Sequence, residues 1–326
     1  MKKGLFILAA FICCLLVSGC MSRSSQHSDE TEPELVMGFS QLGSESSWRL
    51  GCTQSIIEAA ERHDVTLMFE NAYQNQEKQI DALRSFISYR VDVISFSPIV
   101  EDGWENVLNE AKSAGIPVIL VDRLVDVEDD SLYTAFIGAD FLKEGQRAGE
   151  YLLRKAENMG TDNLNIVEIT GTEDSSPMRQ RYEGFHQYVD NDERFNVLES
   201  ISGDFLISKG EECMRYLLEK FPEQIDVLYS HNDGMTLGAI SAIEDAGLVP
   251  GKDIIIITVD GEQAAIDLLK EGKINCVVEC TPHLGDIVME LAIKLKNGEE
   301  IDKITHPEET VFTEFDDLSS IGPRGY

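Results

Sequence analysis

Residues 91–123 have the sequence VDVISFSPIVEDGWENVLNEAKSAGIPVILVDR, and this stretch decides the fold. It contains an apolar run at 91–96, a helical pattern around 104–114, a turn at Ala114-Gly115-Ile116-Pro117 and a second apolar run at 118–121. Short apolar runs between turn signals are typical of parallel strands that are covered on both faces. The second run ends on two opposite charges, Asp122 and Arg123. Open α/β sheets place their ligand-binding groups just beyond such strand ends.

The same pattern returns later in the chain. Residues 225–260 have the sequence IDVLYSHNDGMTLGAISAIEDAGLVPGKDIIIITVD, which again closes an apolar run on an acid, Asp260. Two similar halves predict two similar lobes, each with an acidic residue at the end of a strand.

Length and composition fit a soluble globular protein of two domains. The chain has 326 residues, of which 43% are hydrophobic and 26% are charged. Its formal net charge of -32 is unusual. This charge argues against nucleic-acid binding, which needs Lys and Arg to neutralise phosphates, and against a basic face on an anionic membrane.

The first 34 residues carry signals of export. Two lysines precede an apolar run at 5–17 that is too short to span a membrane comfortably. Val17-Ser18-Gly19-Cys20 resembles the bacterial lipobox, which implies cleavage before Cys20 and lipid attachment to it. We therefore predict a signal peptide over 1–19, a lipidated Cys20 and a flexible tether up to residue 34. An uncleaved anchor and a simple secretion signal are the alternatives.

Four cysteines remain in the predicted mature chain beyond Cys20. Cys52, Cys213, Cys276 and Cys280 form no CxxC pair and have no His ligands at the spacing of a zinc site. We predict buried thiols and no metal or cofactor, and a disulfide between two of the four stays open.

From residue 35 the chain alternates strands and helices. Strands are predicted at 35–39, 65–69, 91–96, 117–121, 134–138, 164–169, 196–201, 225–230, 253–259, 274–279 and 310–314. Helices are predicted to include 47–62, 76–89, 104–114, 141–158, 178–190, 208–220, 234–246 and 283–296. This alternation predicts an α/β fold with two parallel, doubly wound sheets, since eleven strands are many for one open sheet. We predict one lobe from 35–139 with about 281–309, and a second from 140–280 with about 310–326.

Polar and aromatic residues follow the predicted strands, and no enzyme signature is present. The sequence lacks GxGxxG, HExxH and GxSxG. Carboxylates, amides and Arg share hydrogen bonds with vicinal hydroxyls, and aromatic faces cover the C–H side of a sugar ring. The sequence therefore predicts a site for a small hydroxyl-rich ligand, formed by the strand-end residues Trp48, Arg49, Asp122, Arg123, Arg181, Phe205, Asn232, Asp260 and Glu279.

Several motifs resemble a known family. They are GFSQLGSESSWR (38–49), VLNEAKSAGIPVILVDR (107–123), SGDF (202–205), SHNDGMTLGAI (230–240), AGLVPGKDI (246–254), VDG (259–261) and VECTP (278–282). The chain resembles the periplasmic-type sugar-binding proteins of ABC importers, in the ribose- and galactose-binding group and most of all in its galactofuranose branch. The resemblance covers about residues 36–326.

The resemblance implies a two-lobed, type I binding-protein fold with a hinge, and it implies roles for single residues. Asp122 and Arg123 match the pair that grips ring hydroxyls, and Phe205 matches an aromatic cover. The remaining matches are Arg181, Asn232 and Asp260 in the second lobe, Glu45, Trp48 and Arg49 in the first lobe, and Glu279 near the hinge. Ser97 stands where the ribose type has an Asn, which leaves the exact sugar open.

The resemblance implies a monomeric, extracytoplasmic receptor that delivers a monosaccharide to an ABC transporter permease. Three alternatives are weighed against it. The same fold could present its ligand to a sensor kinase or chemoreceptor. A transcriptional regulator would need a helix-turn-helix ahead of residue 35, where the export signal stands. A sugar hydrolase would need a paired acid and nucleophile, which Asp122 and Asp260 could only mimic.

Overall fold

The computed structural model describes residues 35–161 and 163–326. The predicted signal peptide, the predicted lipidation of Cys20 and the predicted tether lie outside these residues. Among the residues that the structure describes, no helix combines the length and the apolar character that crossing a membrane requires.

Strands and helices alternate along the described chain, as predicted. The strands are β1 (Val36–Gln41), β2 (Thr66–Asn71), β3 (Val93–Phe96), β4 (Val118–Val121), β5 (Ala135–Ile137), β6 (Leu164–Thr170), β7 (Phe195–Ser202), β8 (Val227–Ser230), β9 (Ile255–Asp260), β10 (Cys276–Glu279), β11 (Ile304–Thr305) and β12 (Val311–Thr313). The helices are α1 (Ser47–Arg62), α2 (Gln76–Tyr89), α3 (Glu105–Ala114), α4 (Phe141–Met159), α5 (Ser176–Val189), α6 (Ile207–Lys220), α7 (Asp233–Asp245), α8 (Gln263–Lys270) and α9 (Gly285–Lys296).

The strands form two sheets of six, which confirms the predicted fold class. The first sheet has the order β11-β5-β4-β3-β1-β2, and the second has the order β12-β10-β9-β8-β6-β7. Every pairing is parallel except that of β12 with β10. All residues of β3, β4, β8 and β9 are buried, which explains their continuous apolar runs.

The chain passes between the two sheets three times: between β5 and β6, after β10, and between β11 and β12. After the second passage, α9 packs against α1, β3 and β4 of the first sheet. These placements support the predicted division into lobes, which we retain as a proposal.

Several elements differ from the prediction. The short strand β11, which pairs with β5, and the helix α8 lie where no element was named, and β3, β8, β9 and β10 each begin two residues later than predicted. The strand predicted from residue 91 begins at Val93, because Val91 closes the turn after α2 by donating its backbone N–H to Phe86 O at 3.3 Å.

Local sequence fixes the starts of the two helices that face the site. Ser46 caps α1 by accepting a hydrogen bond from the Arg49 N–H at 3.1 Å. Asn232 caps α7 in the same way, accepting from the Met235 N–H at 2.9 Å. Such caps satisfy N–H groups that a helix cannot pair internally, so they hold the preceding loops at the strand ends.

Candidate functional site

A cavity opens at the carboxyl ends of the strands, and residues that follow strands of both sheets line it. Its volume, including the open solvent at its mouth, is about 330 Å³. The lining residues are Glu45, Ser46, Trp48, Arg49, Asp122, Arg123, Pro177, Arg181, Phe205, Asn232, Asp260 and Cys280.

Arg49 organises the wall that the first sheet provides. Its guanidinium contacts Asp122 Oδ2 at 2.7 Å and Glu45 Oε1 at 3.0 Å, and only 4% of the residue is exposed. Burial lowers the pKa of Arg49, but the two carboxylates outweigh burial and raise it. Arg49 therefore stays charged and fixes the orientation of both acids.

Asp122 and Arg123 lie directly beyond β4. Asp122 has a φ of 65°, in the left-handed region that non-glycine residues rarely adopt. Such strain persists where the surrounding structure imposes it, and here the Asp122 N–H donates to Ile137 O at 2.7 Å. The strand end is thereby turned so that both side chains line the cavity.

Arg123 keeps one donor free for a ligand. Its Nη1 donates to Ile99 O at 2.6 Å, but its buried Nε makes no hydrogen bond in the described chain and lies 4.0 Å from Asp122 Oδ2. Burial and the neighbouring Arg49 lower the pKa of Arg123 to about 10, so it is still charged near neutral pH. An unpaired buried donor is costly, and a ligand oxygen would satisfy it.

Arg181 of α5 organises the opposite wall. Its Nε donates to Glu144 Oε2 at 2.7 Å, its Nη1 donates to His231 O at 2.6 Å, and its Nη2 lies 3.9 Å from Asp260 Oδ1. Burial raises the pKa of Asp260 above its ordinary value despite this arginine. Asp260 is thus a carboxyl group that can accept hydrogen bonds from a hydroxyl and, when protonated, also donate one.

Phe205 forms the aromatic part of this wall. Its backbone φ is 60°, and it follows Asp204 with a φ of 54°. A Cβ at Gly171 would lie 1.9 Å from the Phe205 ring, so only glycine lets the ring take this position. The Arg123 guanidinium lies 5.4 Å from the centre of the same ring, so the aromatic cover and the strand-end pair belong to one site.

Trp48 joins the two halves of the site. Its backbone N–H donates to Glu262 Oε1 at 3.1 Å, and its indole Nε1 donates to Cys280 O at 2.7 Å. Both partners lie beyond strands of the second sheet, whereas Trp48 begins α1. The buried indole therefore bridges the two halves as well as lining the cavity.

The structure brings nine of the eleven predicted binding residues to the cavity. Ser97 lies behind the wall, where its hydroxyl accepts from Arg49 Nη1 at 3.2 Å and donates to Asp122 Oδ2 at 3.3 Å. Glu279 does not line the cavity. It pairs with Arg324 and accepts from the Thr310 N–H at 2.9 Å, which ties the end of the chain to β10.

Three lining residues were not among the predicted ones: Ser46, Pro177 and Cys280. Ser46 is the N-cap residue of α1, at the edge of the cavity. Cys280 follows β10 directly, so its strand-end position was the signal that could have identified it. The four cysteines Cys52, Cys213, Cys276 and Cys280 are buried free thiols, as predicted.

Comparison with known proteins matches this chain to one family. Residues 37–300 match the family described as "Periplasmic binding protein domain". The galactofuranose-binding protein YtfQ of Escherichia coli (strain K12) is 40% identical over 281 residues, which cover 85% of this chain and 87% of YtfQ.

Solved structures extend the comparison. A Mycobacterium smegmatis protein in complex with β-D-fucofuranose is 44% identical with a TM-score of 0.83, covering 86% of this chain and 92% of that one. The periplasmic binding protein of the arabinose ABC transporter from Shewanella sp. ANA-3, bound to α- and β-L-arabinofuranose, is 39% identical with a TM-score of 0.82 and the same two coverages.

Proposed function

The chain belongs to the periplasmic binding protein family, and from that premise we propose that it captures a monosaccharide between its two lobes. The observation that carries the proposal is the cavity itself. Residues after strands of both sheets line it, and they offer Asp122 and Arg123 from one side and Arg181 and Asp260 from the other. This set of fixed donors and acceptors suits vicinal hydroxyls, with Phe205 as the apolar cover.

We propose that the ligand is galactofuranose or a galactose-like sugar. YtfQ carries galactofuranose in its name, and the two solved relatives were crystallised with other furanoses. The unpaired Nε of Arg123 supports a ligand oxygen at that point of the wall. A site with such buried polar groups discriminates strongly against analogues that lack a hydroxyl, because those groups would stay unpaired.

Closure of the lobes over the sugar is the proposed mechanism. Contacts between the halves surround the cavity: Trp48 with Glu262, and Arg179 with Glu101 at 2.8 Å. A sugar shifts the equilibrium toward this closed state only if it binds that state better than the open one. Since Asp122 and Arg181 lie on opposite walls, a ligand that contacts both meets this requirement.

Thermal unfolding of the purified full-length protein with a panel of sugars tests the proposal. The panel is galactofuranose, galactose, ribose and arabinose. A ligand at about 100 times its Kd stabilises the folded state by about 2.7 kcal/mol, which raises the midpoint by roughly 5 to 10 °C.

Variants locate the site in the same assay. Asp122→Ala and Arg181→Ala should abolish the shift, whereas Arg215→Ala should keep it, because Arg215 pairs with Glu211 and Asp245 on the exposed surface. The bound sugar should be recovered unchanged. No shift with any of the four sugars, or a shift that survives in both cavity variants, would refute sugar capture at this cavity.

We propose further that the protein is anchored outside the cytoplasm through a lipidated Cys20. From there it delivers the sugar to an ABC transporter permease. We expect deletion of the gene to lower uptake of the labelled sugar, and the wild-type chain but not Arg181→Ala to restore it. Unchanged uptake alongside intact binding would instead favour a ligand-presenting receptor for a sensor kinase or chemoreceptor.

A further inference from the structure

Three side chains that are far apart in the sequence meet beside the cavity. One ligand atom each from Glu144, Cys280 and Glu309 lies within 4.8 Å of the other two. Glu144 is 0% exposed, Cys280 is 2% exposed and Glu309 is half-buried. They lie at the start of α4, just after β10 and just before β12, so the cluster gathers the three segments in which the chain passes between the sheets.

Each of the two carboxylates accepts a hydrogen bond through one of its oxygens. Arg181 Nε donates to Glu144 Oε2 at 2.7 Å, and the Thr281 N–H donates to Glu309 Oε1 at 2.9 Å. The other oxygen of Glu144, Oε1, is buried, and no N–H or O–H group of the described residues donates to it. The Cys280 thiol interacts with the same carboxyl, but a thiol is a weak donor.

This arrangement is the pattern of a metal ligand with an outer partner. Carboxylates that bind metals are usually hydrogen-bonded through groups behind them, which fix their direction. Arg181 occupies that outer place for Glu144, and the Thr281 backbone occupies it for Glu309. The buried Oε1 has only the weak Cys280 thiol as a donor among the described residues, so a cation would satisfy it better.

We propose that Glu144, Cys280 and Glu309 form a binding site for a thiophilic divalent metal ion of the Zn²⁺ class. One thiolate and two carboxylate oxygens are accepted zinc ligands, and water can complete a tetrahedral site. Bond lengths of about 2.0–2.3 Å place such ligand atoms about 3.4–3.6 Å apart. Closing from at most 4.8 Å to these distances needs only small side-chain movements.

Charge favours the same conclusion. Two carboxyl groups this close in a buried site cannot both ionise without a large cost in free energy, and a divalent cation between them would remove that cost. A divalent ion with one thiolate and two carboxylates carries a net charge of -1, which Arg181 balances. The metal would also join the three passages of the chain between the sheets, next to the cavity that Cys280 itself lines.

Metal analysis of the full-length protein, in the absence of sugar, tests the site. The protein is freed of metal with a chelator, loaded with Zn²⁺, exchanged into metal-free buffer and analysed for bound zinc. We expect one zinc per chain, at least about 100-fold weaker binding in Cys280→Ser, and roughly 10- to 100-fold weaker binding in Glu309→Gln. Competition with a chelator of known affinity gives these ratios.

Two matched variants serve as controls. Cys213→Ser removes another buried thiol, and Glu308→Gln changes the exposed neighbour of Glu309, so both should bind zinc like the wild type. Glu144→Gln would not test the metal site alone, because it would also weaken the hold of Glu144 on Arg181.

Co²⁺ provides a readout that does not depend on a variant folding. Cobalt bound to a thiolate shows a sulfur-to-metal charge-transfer band in the near ultraviolet, which we expect in the wild type and not in Cys280→Ser. Absence of this band in the wild type, no retained zinc, or equal zinc in wild type and Cys280→Ser would each overturn the proposal. The last result would mean adventitious binding by the acidic surface. None of these outcomes bears on sugar binding.

Discussion

Glu168 of β6 offers a quantitative test of how the residues around the second sheet are held together beside the cavity. The residue is 0% exposed, and its carboxylate accepts hydrogen bonds from His231 Nε2 at 2.9 Å, His186 Nε2 at 3.2 Å and Ser200 Oγ at 2.5 Å. A carboxylate only accepts, so the His231 proton must lie on Nε2. Because His231 O in turn accepts from Arg181, this network extends to the ligand-binding wall.

The magnitude follows from the pKa of Glu168. Burial raises this pKa, but the hydrogen bonds from His186, His231 and Ser200 outweigh burial and hold it at about 2, below the ordinary 4.5. A difference of about 2.5, at about 1.36 kcal/mol for each pKa unit, contributes about 3 kcal/mol to the free energy of unfolding at neutral pH. Since the folded-state pKa is the lower one, this contribution is present above pH 4.5 and is lost as the pH falls toward 2.

Urea unfolding of Glu168→Gln and wild type at about pH 7 and about pH 3.5 measures the effect. We expect the variant to lose about 3 kcal/mol at pH 7 and about 2 kcal/mol at pH 3.5, where part of the wild-type contribution has gone. Glu199→Gln is the control, because Glu199 on the adjacent β7 makes partly exposed contacts with Lys220 and Tyr216, which contribute little. A loss below about 1 kcal/mol at pH 7, or equal losses at both pH values, would refute this reasoning.

Three further substitutions test the packing around the cavity. Gly145→Ala should destabilise the protein in urea unfolding by about 1–3 kcal/mol or more, because a Cβ there would lie 2.2 Å from Arg181 O. A change near zero would contradict the close approach of α4 and α5. Gly171→Ala should weaken sugar binding by about tenfold or more, since a Cβ would lie 1.9 Å from the Phe205 ring and displace it. Calorimetry measures the affinity, and an unchanged affinity would show that the ring does not cover the sugar. Trp48→Phe should lower the free energy of unfolding by about 1–3 kcal/mol, because it leaves the buried Cys280 O without its donor at 2.7 Å. An unchanged free energy would show that water replaces the indole N–H.

The sequence predicted the fold well, because its strands are buried on both faces and show as continuous apolar runs. The strands β4 and β8 illustrate this, since every residue in them is buried. The two-residue strand β11 could not be predicted, because its pairing with β5 depends on where the third passage between the sheets returns, and a run that short has no periodicity.

The sequence predicted which loops form the candidate site, but not every side chain that lines the cavity. A strand-end rule places a loop at the edge of the sheet, whereas the direction of each side chain alternates from one residue to the next. At the end of β10, Cys280 lines the cavity, and its neighbour Glu279 pairs with Arg324 instead. A shift of one residue at a strand end thus exchanges a wall residue for a structural one.

The supporting contacts behind the wall have no local sequence signal, yet they bear directly on affinity. Arg181 and Glu144 are 37 residues apart, and Trp48 and Glu262 are 214 apart, so only the packed structure brings each pair together. Because Arg181 is held by Glu144 and His231 O before a ligand arrives, a sugar need not order that side chain, and less binding free energy is lost. Lysine could not replace it, since one ammonium group cannot present donors in a fixed plane to Glu144, the His231 carbonyl and Asp260 at once.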